Sequence, residues 1–278
     1  MTLPTFLGIG VPRGGTTWLH TLLATHPDVY MPTRRKEIRF FDRHFDRGLG
    51  WYEGFFCDDD ERDRYRAIGE ISPQYLYCGM CPDRIEATLP GVRLIAMLRH
   101  PVERAYSQYG FVVQRRNYHG SFEEFLDSRS SALERGFYGR YLSAYLRRFA
   151  TDRILVLASE AAFADLEDSC RRLADFLEIA PDRFATADFG TKRVNASSVP
   201  RAGSLAGIFI TTGRRLRRWQ LEPIVDLGKR VGVHRFLFKG SSLPPLDPAV
   251  KKALTRRYEP EFDELEKRFG VDLSGWRA

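Results

Sequence analysis

Cysteine is scarce in this sequence: Cys57, Cys78, Cys81 and Cys170 are the four in 278 residues. So few thiols make no disulfide framework. The lone C-x-x-C at Cys78 and Cys81 has neither a second pair nor a nearby histidine to complete a zinc site, so these read as buried or incidental thiols. No uninterrupted apolar run approaches the roughly 20 residues a membrane span requires. Met1-Thr2-Leu3-Pro4 leads into a short apolar stretch without a basic leader or cleavage signal. The expectation is a soluble, cytoplasmic protein in a reducing setting. Internal repeats, low-complexity tracts and an evident linker are also missing, which favours one domain over several.

What is present is ample core material. Hydrophobic residues make up 43% and aromatics 13% of the chain, which excludes a disordered protein. The formal charge of +7 attracts anions without naming them. Acidic residues are interleaved with the basic ones along the chain, so no dedicated nucleic-acid surface is expected.

Hydrophobic patterning predicts strands at Thr5–Val11, Tyr65–Ile71, Val92–Leu98 and Arg153–Ala158. Helices are predicted from Thr16 to near His26-Pro27, over Pro82–Leu89, after Pro101, and through Leu166, Cys170, Leu173 and Leu177. Strands alternating with helices imply an α/β fold with a central parallel sheet. Beyond about Phe189 the strand signal stops. Residues 203–235 are basic and helical in flavour, and Pro248–Phe269 reads as one long amphipathic helix closed by Gly270. The organisation expected is a single domain over 1–278, with a core of about 5–180 and a helical cover of about 190–278.

The segment Gly10-Val-Pro-Arg-Gly-Gly-Thr-Thr lies between the first strand and the first helix. Glycines there let the backbone curl around phosphate oxygens, and first-turn N–H groups point at them. The loop is P-loop-like, but Thr16 stands where a Walker A loop has lysine, and Arg13 is its single cation. That departure removes the cation an ordinary kinase or ATPase uses on the β/γ-phosphates. A plain turn with glycines for sterics is the other reading. A second anion site is expected at Arg99-His-Pro-Val-Glu-Arg-Ala-Tyr-Ser, where Arg99 ends a strand and Pro101 starts a helix bearing Ser107. Both loops leave the carboxyl edge of a parallel sheet, where ligands bind. Two phosphate sites there point to a nucleotide phosphorylated at two positions.

These motifs resemble the sulfotransferases that use 3′-phosphoadenylyl sulfate (PAPS), in the glycan-type branch of heparan sulfate enzymes and their bacterial relatives. The likeness rests on the loop and on His26-Pro-Asp-Val, Lys36-Glu-Ile-Arg-Phe-Phe-Asp, Gly48-Leu-Gly-Trp-Tyr, Gly69-Glu-Ile-Ser-Pro-Gln-Tyr, the Arg99–Ser107 segment and Gly136-Phe-Tyr, in that order. It covers roughly the first 180 residues. The resemblance implies that Arg13, Gly14, Gly15, Thr16 and Thr17, with Trp18 after them, hold the 5′-phosphosulfate. Arg99 and Ser107 match the 3′-phosphate site, and Glu37 matches the general base that takes the acceptor's proton. It also implies adenosine 3′,5′-bisphosphate as product, a hydroxyl of a carbohydrate or small molecule as acceptor, and no metal.

Two departures stand out. Relatives usually carry lysine at the position of Arg13, where it stabilises the bridging oxygen and assists the leaving group; the resemblance implies that Arg13 keeps the catalytic electrostatic role but gives up no proton. Many also carry lysine where this chain has Ile71, a loss for which Lys36 is a substitute. The family's late basic segment is represented here by Thr191-Lys-Arg-Val-Asn, with Arg193 the phosphate-contact candidate. Tyr138 either faces the nucleotide or packs in the core, and His26, His44 and His100 read as structural. Two other functions compete: an ATP-dependent small-molecule kinase, which lacks its lysine here, and a non-catalytic anion or nucleic-acid binder using Arg214-Arg-Leu-Arg-Arg-Trp.

Overall fold

The computed structural model describes residues 2–116, 118–186, 189 and 243–277. Arg193, the 203–235 stretch and the arginine cluster at 214–218 lie outside the described residues.

The apolar runs form five parallel strands: β1 (Phe6–Gly10), β2 (Val29–Tyr30), β3 (Ala67–Ile71), β4 (Arg93–Leu98) and β5 (Ile154–Ala158). They lie in the order β2-β3-β1-β4-β5. Every residue of β1 and β3 is buried, as a sheet covered on both faces requires. Four strands were legible as apolar runs. The fifth, β2, has two residues, paired with Ala67 and Ile68, and is too short to carry a periodic signal.

Alternation along the strands sends side chains to two separate cores. On one face Leu7, Ile9, Leu94 and Ala96 pack with Phe40, Phe41, Tyr52 and Tyr75. On the other, Phe6, Ile95 and Met97 pack with Leu19, Leu22, Leu173 and Leu177. Each such side chain, fully buried, contributes on the order of 1.5–3 kcal/mol.

Helices occupy the intervals: α1 (Thr16–Leu23), α2 (Leu49–Glu53), α3 (Cys81–Thr88), α4 (Pro101–Arg116), α5 (Phe122–Ser128), α6 (Ser131–Glu134), α7 (Tyr138–Leu146), α8 (Ser159–Ala164) and α9 (Leu166–Leu177). The C-terminal helix expected as one piece is two: α10 (Pro248–Thr255) and α11 (Glu259–Phe269). Pro260 explains the break. It lacks an N–H, and its ring would meet the carbonyl of Arg256 in a continuous helix, so it sits in the first turn of a new one. Gly270 ends that helix in the left-handed region, as expected.

These last helices dock on the outer side of α4 and α7. Tyr258 donates to the Leu133 carbonyl at 2.9 Å, and Glu261 accepts from the Gly139 N–H at 3.0 Å. The strand order places β1 in the middle. From it the chain moves to β2 and β3 on one side, then crosses to β4 on the other. The carboxyl ends of β1, β3 and β4 therefore meet at the switch point, the ligand-binding edge of such a sheet.

Candidate active site

The loop from Gly10 to Thr16 opens at that edge. Gly15 has φ +91°, and a Cβ there would lie 2.7 Å from the Phe163 ring. A Cβ on Gly14 would meet Val11 Cγ2 at 2.5 Å and the Met97 carbonyl oxygen at 2.7 Å. The two glycines thus let the loop press flat against β4. No side chain caps α1. Its first-turn N–H groups have no carbonyl of the same helix to bond, and with the helix dipole they make an anion site.

Arg13 itself lies at φ +71°. Its Nε donates to Ser107 Oγ at 3.0 Å, and its guanidinium lies 5.5 Å over the Phe111 ring, which Arg115 also covers at 5.3 Å. Burial, followed by the charges of Arg99 and Arg115, pushes the Arg13 pKa down. The guanidinium groups of Arg99 and Arg115 are therefore close enough to act on that of Arg13. The two anion sites expected to be separate are linked through Arg13, which reaches from the first into the second.

Arg99 is set by its surroundings. Its guanidinium pairs with Glu103 at 3.1 Å, which Lys251 also reaches at 3.2 Å. Tyr138, fully buried, donates to the Arg99 carbonyl at 2.7 Å. Of the two roles open to Tyr138, core packing is the one observed.

Lys36 reaches the first turn of α1 from the segment after β2. Its Nζ donates to Thr17 Oγ1 at 2.6 Å. Burial lowers the pKa of this half-buried ammonium, and Glu37 acts against that. One turn along α1, His20 is held down to about 4 by burial and by the Lys36 charge, and its buried Nδ1 has no hydrogen-bond partner among the described residues. Trp18 points to the opposite side of α1, buried, with its ring 5.2 Å edge-on to Phe163.

Glu37 follows directly on Lys36. Its neighbours Ile38, Phe40 and Phe41 are buried, but Glu37 itself is exposed. The backbone turns through the left-handed region at Arg39, φ +61°, and Arg39 pairs with Asp42 rather than with Glu37.

Beneath this segment lies a fully buried carboxyl, Glu70, to which composition and spacing assigned no role. Tyr75 Oη and Ser72 Oγ donate to it at 2.6 and 2.7 Å, and Tyr52 Oη at 3.4 Å. The Ile38 N–H also bonds it, and Ser72 Oγ accepts from the Arg39 N–H at 2.9 Å. Burial outweighs these bonds and raises its pKa to about 7. The signal was a single carboxylate inside the apolar strand Ala67-Ile-Gly-Glu-Ile.

The histidines expected to be structural include His26, which bonds the Ala180 carbonyl at 2.8 Å, and His100, which meets the Trp276 carbonyl at 3.1 Å. His44 stands beside Trp51 with ring centroids 5.1 Å apart. All four cysteines are free thiols. Among the described residues no group of three or more His, Cys, Asp or Glu could hold a metal ion, and no helix is long and apolar enough to cross a membrane.

Comparison with known proteins places this geometry. The sulfotransferase domain model matches residues 3–193. Mouse heparan sulfate glucosamine 3-O-sulfotransferase 3A1 is 33% identical over 184 residues, covering 63% of this chain and 46% of the relative. Human heparan sulfate glucosamine 3-O-sulfotransferase 6 is 32% identical over 285 residues, covering 98% of this chain and 73% of the relative. Several matches thus span only about half the length of the curated relatives. A sulfotransferase from Alicyclobacillus acidocaldarius, 23% identical, shares the fold over 100% of both chains with a TM-score of 0.67. The family model spans more than half of the chain, a relative 32% identical spans nearly all of it, and the chain belongs to the sulfotransferase domain family.

Proposed function

We propose that the protein transfers a sulfuryl group from PAPS to a hydroxyl of a carbohydrate or glycosylated small molecule. One observation carries the choice of donor. Arg13 of the glycine loop bonds Ser107 of the Arg99–Ser107 segment at 3.0 Å, and burial together with the charges of Arg99 and Arg115 lowers its pKa, so a bound anion relieves the crowding of like charge. The uncapped end of α1 supplies a second anion site beside it. That donor set fits a nucleotide with phosphate at both the 3′ and 5′ positions. When bound, PAPS supplies an activated sulfuryl group on its 5′ phosphate.

The chain's own groups have separate tasks. Arg99 and Ser107 hold the 3′-phosphate, and Arg13, bonded to Ser107, brings the charge of the glycine loop to the 5′ group. Gly14, Gly15, Thr16 and Thr17 face the 5′ group with N–H and hydroxyl donors. Glu37 takes the acceptor's proton as its oxygen bonds to sulfur, while the bond from sulfur to the bridging phosphate oxygen breaks and leaves its electron pair there. An exposed Glu37 suits a base whose partner arrives from solvent. Fixed cations and amides offset the charge that collects on the leaving oxygen.

The heparan sulfate glucosamine 3-O-sulfotransferases among the relatives support a glycan acceptor. A net charge of +7 favours an acidic one. Calorimetry with adenosine 3′,5′-bisphosphate and with ATP–Mg²⁺ tests the donor. Tight binding of the bisphosphate and weak binding of ATP are expected. The reverse order would return the chain to the kinase reading.

A further inference from the structure

Cys78 and Cys81 are incidental thiols by their spacing alone, yet the fold brings them into contact. The Cys81 N–H donates to the Cys78 carbonyl at 3.1 Å and closes a tight turn, in which Met80 has φ −90° and ψ −14°. Such a turn holds its first and fourth Cα atoms within about 7 Å, the reach of a disulfide. The two side chains also hydrogen-bond each other. We propose that this pair is a thiol–disulfide exchange site, at which Cys78 attacks an incoming disulfide and Cys81 resolves the product.

The two thiols differ as those roles require. Cys78 is half-buried, and Gly79 and Met80 beside it are exposed, Met80 at 58%. A Cβ on Gly79 would meet nothing within 4 Å among the described residues, so the turn stands clear of the chain around it. Cys81 is fully buried in the core that holds Phe41, Tyr75 and Tyr145, where it opens α3 ahead of Pro82. Burial keeps it from solvent, while contact keeps it within reach of the Cys78 sulfur. That sulfur also accepts from the N–H groups of Met80 and Cys81 at the start of α3, where negative charge is favoured. The bond from Cys81, helped by these backbone donors, brings the Cys78 pKa down to about 6 against burial and Asp42. The same bond is the chief cause that pushes Cys81 up, and Arg84 acts against it.

The exchange balances in two steps. The Cys78 thiolate bonds one sulfur of the incoming disulfide, whose S–S bond breaks, and the other half leaves as a thiolate. Cys78 is then uncharged in a mixed disulfide, so the chief hold on the Cys81 proton is gone. Cys81 gives that proton to the medium, its sulfur bonds Cys78 Sγ, and the second thiolate departs. Two cysteines are oxidised, and the incoming disulfide is reduced to two thiols.

No sulfuryl transfer is involved, so the test needs no nucleotide. Reduced full-length protein is treated with glutathione disulfide, quenched in acid and mapped by mass spectrometry. Wild type should lose two hydrogens as a Cys78–Cys81 link, keep no glutathione on either residue, and regain both hydrogens in dithiothreitol. Cys81→Ser should stop one step earlier and retain one glutathione on Cys78. Cys78→Ser should leave Cys81 reduced. Glutathione retained on Cys78 in wild type, or both thiols still reduced, would overturn the exchange site. Glutathione on Cys81 in Cys78→Ser, at the rate Cys78 shows in Cys81→Ser, would overturn the assignment of the two roles.

Discussion

Arg13 Nε donates to Ser107 Oγ at 3.0 Å across 94 residues of sequence, tying the glycine-rich loop to the middle of α4. The bond joins two anion sites into one continuous surface.

Ser107→Ala removes the hydroxyl and lets Arg13 swing free. Affinity for adenosine 3′,5′-bisphosphate should fall a few-fold, in line with roughly 0.5–1.5 kcal/mol for a neutral hydrogen bond. Arg99→Ala should cost more, because a charge is lost. Calorimetry checks both, and unchanged affinity in Arg99→Ala would remove the 3′-phosphate from this site.

Glu37→Gln keeps the shape of an exposed side chain and removes its basicity. Nucleotide affinity should persist while transfer slows by about 10²- to 10⁴-fold, the usual weight of general-base help. Transfer from labelled donor at near-normal rate would show that another group takes the proton.

Glu70→Gln tests the buried knot. The folded pKa is raised from the usual 4.5 to about 7, so the folded protein binds the extra proton between those values. The protonated form stabilises the fold fully below about pH 4.5, and that stability is lost as pH rises through 7. The loss amounts to about 3 kcal/mol at most. Denaturant titrations from pH 5 to 8 should show wild type falling against Glu70→Gln over this window, and parallel curves would contradict the shift.

Gly14→Ala should destabilise the fold by about 1–3 kcal/mol, because the new methyl meets the Met97 carbonyl oxygen at 2.7 Å and β4 cannot yield. A lowered denaturant midpoint with unchanged slope is the expected record. A variant as stable as wild type would mean the loop stands clear of the strand.

Cys78 should be the most reactive of the four thiols. The Cys81 hydrogen bond is the chief cause that brings its pKa down to about 6, while Cys81 itself is pushed up. Alkylation rates followed against pH should level off near neutrality for Cys78, and Cys81→Ser should leave it fastest only if the serine keeps the bond. Equal rates at Cys78 and Cys170 would contradict the pairing.

Much of the fold was legible because the physics behind it is local. Four buried strands announce themselves as apolar runs ended by proline, glycine or charge. Proline at the start of α4 and Gly270 at the end of α11 mark helix ends by backbone chemistry alone. The break at Tyr258 was in principle readable too, since Pro260 forbids a continuous helix, but the amphipathic pattern runs on across it.

The site was half legible. Loop glycines, Arg99, Ser107 and Glu37 are marked by motif, because anion binding at a helix start needs those residue types at that spacing. Where each side chain points is another matter. Arg13 and Lys36 take their directions from contacts 94 and 19 residues apart, and Glu70 becomes a buried hub only when Tyr52, Ser72 and Tyr75 fold around it. Local sequence determined that this chain would cradle an anion at the carboxyl edge of a parallel sheet. Tertiary packing decided where Arg13 and Lys36 point, because long flexible side chains take their direction from neighbours that only the fold brings near.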